Sequence, residues 1–239
     1  MRSRRFVHVL AGVSLVVLAL AYLPSFADPA SLRRWTKEDG PYESVGAWLF
    51  LLAAAVFALA YSRSRRDARA RAYWTRRFLL GHPGLLALAC VLLLACLEEI
   101  SWGQRLFGIK TPDAIARVNR QRETNLHNLE FFHGHGQDHK RKSGWELTHN
   151  LDRLFTVFNM TLGVALPLAY RRARLRAPLQ RSALPILTLT VGALFVVNYG
   201  ASKVLERLAR EHAVVEIKEC NAALVWLALG VAELVRPED

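Results

Sequence analysis

The chain has 239 residues, 52% of them hydrophobic, yet Lys and Arg outnumber Asp and Glu by 32 to 20, for a formal charge of +12. Soluble domains seldom combine so much apolar sequence with so much positive charge. A nucleic-acid role is a poor use of that charge, because the Arg runs flank apolar stretches and lack interleaved aromatic platforms apart from Tyr73 and Trp74.

In chain order, apolar blocks fall at about 6–26, 43–62, 79–97, 154–170, 183–199 and 214–235. Each is close to the roughly 20 residues that a helix needs to cross about 30 Å of hydrocarbon. The expectation is an all-α, polytopic membrane bundle, a single transmembrane domain over 1–239 with about six spans. The first block, preceded by Arg2, Arg4 and Arg5 and ending in Ser25-Phe26-Ala27, also fits a cleavable signal peptide. Its apolar stretch is long for that, which favours a retained helix. Arg63, Arg65, Arg66, Arg69, Arg71, Arg76 and Arg77 fill the connection between the second and third blocks. Arg171, Arg172, Arg174, Arg176 and Arg181 fill that between the fourth and fifth. Lys and Arg in short loops stay on the cytoplasmic side, so both termini are expected in the cytoplasm of a bacterial inner membrane, with the Arg loops against anionic lipid. Cys90, Cys96 and Cys220 sit inside apolar blocks and read as packed thiols.

The one long connection, 98–153, falls on the outer side, and a structured loop of that length is usually functional. Polar residues gather at that level from four distant segments. They are Asp39 and Glu43 entering the second span, Glu98 and Glu99 leaving the third with Trp102, Gln104 and Arg105, then Glu123, Asn125, His127 and Asn128 in the loop, and finally His212, Glu216 and Glu219 entering the last span. Carboxylates at a membrane helix end are costly unless paired, ligating or hydrated, so they mark a candidate site. Thr111-Pro112-Asp113 reads as an N-cap, a proline at the first helical position and an acidic first turn. The predicted helix runs over about 112–131, amphipathic and interfacial, with Asn119, Glu123, His127 and Glu130 on one face.

A Glu and a His one turn apart can ligate one metal ion, and helix bundles build carboxylate-rich metal sites from facing helices. Glu99, Glu123, His127, Glu216 and Glu219 are the candidate ligands for a divalent zinc, iron or manganese ion. In a metal-free version His127 or a carboxylate of raised pKa, among Glu98, Glu99 and Glu123, acts as general base, and Arg105 holds an anionic head group. The same residues also fit interfacial ion pairs and a solvated helix face. His133-Gly134-His135-Gly136-Gln137-Asp138-His139 reads as a wet loop, and Trp102 and Trp145 as interface anchors.

The strings Glu38-Asp39-Gly40-x2-Glu43, Glu98-Glu99-Ile100-Ser101-Trp102-Gly103-Gln104-Arg105 and Glu123-x-Asn125-Leu126-His127-Asn128 together resemble a family of uncharacterised bacterial multispanning integral membrane proteins. The resemblance covers the chain from the second span to the outer loop. It implies a bacterial membrane protein with these residues on its outer face, and no particular activity. A looser likeness to membrane-embedded zinc amidases of the ceramidase type carries no residues over, since the candidate ligands here are mostly carboxylates. Three classes are open: an enzyme acting on a lipid or lipid-linked substrate, a structural or assembly subunit docking a partner membrane protein through the outer motifs, and a proton- or cation-coupled transporter component. No P-loop or dinucleotide motif occurs, which disfavours ATP- or NAD-driven chemistry.

Overall fold

The computed structural model describes residues 2–26, 28–37, 40–70, 82–132, 150–181, 184–209 and 214–236. Of the expected site residues, Asp39, His212 and the side chain of Arg105 lie outside the described residues, as do the segment 133–139 and Trp145. Among the described residues the fold is helical throughout, with one isolated β-bridge between Asn119 and Leu129.

The principal helices are α1 (Arg2–Ala21), α2 (Pro29–Thr36), α3 (Pro41–Ala70), α4 (Pro83–Glu99), α5 (Leu151–Tyr170), α6 (Ala173–Arg181), α7 (Leu194–Ala209) and α8 (Val214–Leu234). Their starts obey local chemistry. Asp28 caps α2 by accepting the Ser31 backbone N–H at 3.0 Å, with Pro29 next, and Asn150 caps α5 by accepting the Arg153 N–H at 2.9 Å. Pro41 and Pro83 open α3 and α4, where a missing N–H leaves no helical bond unmade. Inside α5, residues Thr161–Ala165 form a π-helical turn just before Pro167. Proline offers no N–H to the carbonyl four residues upstream, so the ladder opens there. The short turn Leu189–Gly192 packs against this widened segment so closely that a Cβ on Gly192 would lie 1.9 Å from the Gly163 carbonyl oxygen.

Helix α8 is the hub. It is buried on nearly all sides, as expected of a helix that is apolar around its circumference. It packs most extensively on α3, and also on α7 and α1, while α3 packs on α4. Gly46 and Gly230 let α3 and α8 approach, since a Cβ at Gly230 would press Val56 and Phe57 at 3.2 and 3.3 Å. Fully buried Trp226 centres the core, with the Phe158 and Phe195 rings at 5.3 Å and Phe57 at 6.2 Å. Truncating such a residue to Ala costs about 3–5 kcal/mol.

Three helical stretches, Arg4–Phe26, Ala30–Arg66 and Leu151–Tyr170, are long and apolar enough to cross a membrane. Their outward faces carry large apolar side chains, Val9 and Trp48 being 64% and 66% exposed, which suits a lipid environment. Two expectations are corrected. The fifth apolar run, 183–199, is not one helix. Residues 184–188 are non-helical around Pro185, and α7 continues ten residues past Tyr199. The helix over 112–131 is reduced to the single turn Asp113–Ala116, because Asn119 then redirects the backbone. Its Oδ1 accepts the N–H groups of Gln121 and Glu123 at 3.0 and 3.1 Å, and Arg122 takes φ 59°, so the chain turns back to pair with itself.

Candidate functional site

Helix α4 ends at Glu98-Glu99, just past the apolar run that closes at Leu97. The residues Ser101, Trp102 and Gly103 all take left-handed backbone angles, with φ of 48°, 56° and 74°. Such angles cost a non-glycine residue of order 1 kcal/mol each, so this reversal depends on the contacts that Ser101, Trp102 and residues 104–132 make around it. It swings Trp102 back over its own helix, where the indole N–H donates to Glu98 Oε1 at 2.6 Å.

The other oxygen, Glu98 Oε2, receives the backbone N–H of Leu126 at 2.6 Å and of His127 at 3.0 Å, and the His127 Nδ1 lies 3.5 Å away. Burial alone would push this carboxyl's pKa up. The donors from His127, Trp102 and Leu126 outweigh it and bring Glu98 below the usual carboxylate value. Residues 100–132 thus form a folded cap tied to the end of α4. Inside it, Asn119 donates to the Asn125 carbonyl and Oδ1 at 2.9 and 2.8 Å, and Gln104 bridges Thr111 Oγ1 at 2.6 Å and the Thr124 N–H at 2.7 Å. Asn125 donates to Ser101 at 3.0 Å and to Glu123 at 3.2 Å, and Ser101, fully buried, donates to Glu123 as well.

Asn128 donates both to Gln121 Oε1 and to His127 Nε2, the latter at 3.1 Å. An amide donor facing Nε2 assigns that nitrogen as the acceptor and puts the imidazole proton on Nδ1, toward Glu98. The result is a half-exposed histidine oriented by a carboxylate, with its basic nitrogen turned away from that carboxylate.

Beneath the cap lies a stratum of carboxylates. Glu99 is driven well above the ordinary carboxylate range, first by burial and then by the negative charges of Glu219 and Glu216 on α8, Glu43 on α3 and neighbouring Glu98. Glu219 in turn feels Lys218, Asp152 and His127. Lys218, buried near the start of α8, pairs with Asp152 in the first turn of α5 and lies 3.9 Å from Glu219.

Of the residues singled out from sequence, Glu43, Glu98, Glu99, His127, Glu216 and Glu219 do meet at one end of the bundle. Glu123, Gln104, Asn125 and Asn128 are committed to the interior of the cap. Trp102 is 43% exposed, its ring at the surface and its N–H on Glu98. The ligand set of Glu99, Glu123, His127, Glu216 and Glu219 is not assembled: among the described residues no group of three or more His, Cys, Asp or Glu is arranged to hold a metal ion. The reason is partner choice, since Glu123 faces Ser101 and His127 faces Glu98. Neither Asp152 nor its pairing with Lys218 was among the features singled out from sequence. The usable signal was a lysine inside an apolar span, which needs a partner from another helix.

Fold and site together define an all-helical protein with helices able to cross a membrane and a cluster of titratable groups at one end of the bundle. The chain matches no known family, no characterised protein and no solved structure.

Proposed function

We propose that this chain is a polytopic bacterial inner-membrane enzyme acting on a lipid or lipid-linked substrate at the outer leaflet, without a metal ion. The carrying observation is the Glu98–His127 pair at the mouth of the carboxylate stratum. Glu98 orients the imidazole and stabilises it when protonated, so that His127 Nε2 takes a proton from water or a substrate hydroxyl as it attacks. In that step Asn128 gives up its contact with Nε2. The 3.5 Å separation of Nδ1 from Glu98 is the loose geometry common before substrate binds. A protonated Glu99 beneath can return a proton to a leaving group. Six spans, with both termini cytoplasmic, put the cap outside, in keeping with the Arg-rich connections. The resemblance through the Glu98–Arg105 and Glu123–Asn128 strings fits the same placement.

The test is a lipid inventory by mass spectrometry of cells producing the wild type, His127→Ala, Glu98→Gln or no protein. A lipid class depleted or formed only with the wild type supports the enzyme. Profiles indistinguishable among folded wild type, His127→Ala and empty cells would sink it. A second reading, an assembly subunit, is favoured by the apolar side chains that the cap leaves exposed, Phe107 at 76% and Ile109, Leu126 and Phe131 each beyond half. It predicts a stoichiometric protein partner lost on Phe107→Ser and retained on His127→Ala.

A further inference from the structure

The outward surface of α4 leads to the Glu98–His127 pair. Ala87, Val91, Leu94 and Glu98 follow one another at intervals of four, three and four, so they share one face of the helix. Ala87, Val91 and Leu94 are exposed on that face, while Leu85, Leu88, Ala89, Leu92 and Cys96 pack inward. With α4 as a span, this apolar stripe is a lipid-facing surface. It ends at Glu98, one turn or about 6 Å past Leu94 along the axis.

Two exposed apolar side chains of the cap flank the Glu98 carboxylate. Trp102 donates its indole N–H to Oε1 at 2.6 Å, and the Leu126 backbone N–H reaches Oε2 at 2.6 Å, so both residues are fixed at the head of the stripe. An indole with its ring at the surface and its N–H on a polar partner, just beyond an apolar run, has the placement that Trp takes at a membrane interface. His127 follows Leu126 directly, with Nδ1 3.5 Å from Glu98 and a side chain that is 34% exposed. The acid–base pair thus tops a lipid-facing surface. Charge adds a preference. Among the described residues of the cap, the exposed charged side chains are Lys110, Arg117, Arg120 and Arg122 against Asp113, a balance that attracts anionic head groups.

We propose that the Glu98–His127 pair opens sideways onto the bilayer, and that an anionic phospholipid reaches it with its chains along Ala87, Val91 and Leu94 and its head group between Trp102 and Leu126. Continuity with the stripe on α4, together with the positive charge of the cap, selects a lipid over a protein as the occupant. The proposal rests on the outer-leaflet enzyme reading given above and names its substrate class as anionic phospholipids.

The experiment uses the full chain in vesicles of phosphatidylethanolamine and phosphatidylglycerol, with bromines near the glycerol end of the acyl chains of one lipid or the other. The Trp102 share of the fluorescence is read as wild type minus Trp102→Phe. It should be half-quenched at about fivefold lower brominated phosphatidylglycerol than brominated phosphatidylethanolamine, the ratio expected from one basic residue acting at the surface. A second readout does not depend on Trp102→Phe folding. In a background with Cys90, Cys96 and Cys220 replaced, a nitroxide on Leu126→Cys should collide more with oxygen, which concentrates in lipid, than with a water-soluble nickel chelate, and one on Asp113→Cys the reverse. Trp102 unquenched by either lipid, or equal half-points for the two, overturns the proposal. So does a Leu126 label reached by the chelate, or one shielded from both probes, the sign of a covering protein. Lipid contact at Trp102 and Leu126 with a lipid inventory indifferent to His127→Ala would keep the sideways opening and remove the enzyme. A His127-dependent inventory with both positions in water would do the reverse.

Discussion

Replacing Glu98 by Ala removes one carboxylate that serves three donors, the Trp102 indole and the backbone N–H groups of Leu126 and His127. Hydrogen bonds to a charged acceptor contribute about 1.5–3 kcal/mol each when fully shielded. Here the Glu98 side chain keeps 15% of its surface exposed, so water replaces part of what is lost. About 1 kcal/mol for each of the two backbone donors gives about 2 kcal/mol for opening the 125–128 segment, or about thirtyfold in its local equilibrium. The assay is amide hydrogen exchange of the protein in lipid nanodiscs, resolved to the peptide holding Leu126 and His127. Glu98→Ala speeds exchange there about thirtyfold and leaves α8 peptides unchanged. Glu98→Gln, which keeps one acceptor oxygen, falls between. Unchanged exchange at Leu126 and His127 in Glu98→Ala would refute the anchoring role of Glu98, and with it the orientation of His127.

The remaining predictions concern charge and packing. Glu99 has its folded pKa raised, so it holds its proton in the folded state over a pH range where the unfolded chain has released it. Stability is thus greater at low pH and declines as pH rises above about 4.5 toward the folded value. Glu99→Gln is expected to remove that decline and to raise Tm at pH 8 by a few degrees, the shift that about 1 kcal/mol gives in a chain of this size. A Tm at pH 8 below the wild type would contradict it. For Glu98, with a lowered folded pKa, the sign reverses: cap protection persists from neutral pH down to about 4.5 and is lost below that, readable by exchange rates corrected for pH. Gly192→Ala forces a methyl onto the Gly163 carbonyl at 1.9 Å, so several kcal/mol of overpacking should separate the Leu189–Gly192 turn from α5 and lower Tm by about 5 °C or more. An unshifted Tm would show that the two segments do not meet.

The helices carrying the apolar runs 6–26, 43–62 and 154–170 were legible because an apolar run of that length acts locally, whereas α2, capped by Asp28, was not foreseen. The cap over residues 100–132 was not either. The spacing of Asn119, Glu123, His127 and Glu130 imitates a helical face, but asparagine side chains compete for the backbone N–H groups that a helix would use, and Asn119 wins that competition twice. That one exchange of partners also explains the lost ligand set, because Glu123 and His127 no longer share a face. Convergence of Glu43, Glu98, Glu99, Glu216 and Glu219 was readable from chain direction, since Glu43, Glu216 and Glu219 lie at the starts of α3 and α8 and Glu98 and Glu99 at the finish of α4. Pairing of Lys218 with Asp152 was not, because it depends on how α5 docks on α8, a matter of packing across 66 residues of sequence. Asn159 is hidden in the same way: within an apolar run it looks incidental until Trp226 is seen to fix its amide.

Everything proposed for the cap requires residues 100–132 to face the outside of the cell while α6 faces the cytoplasm. Single cysteines at Phe107 and Leu175, both exposed, in a background with Cys90, Cys96 and Cys220 replaced, allow that to be measured with a thiol reagent that does not cross membranes. Phe107→Cys should react in intact cells and Leu175→Cys only after permeabilisation. Reaction of Leu175→Cys from outside, with Phe107→Cys shielded until the membrane is opened, would invert the protein and contradict the outer-leaflet site.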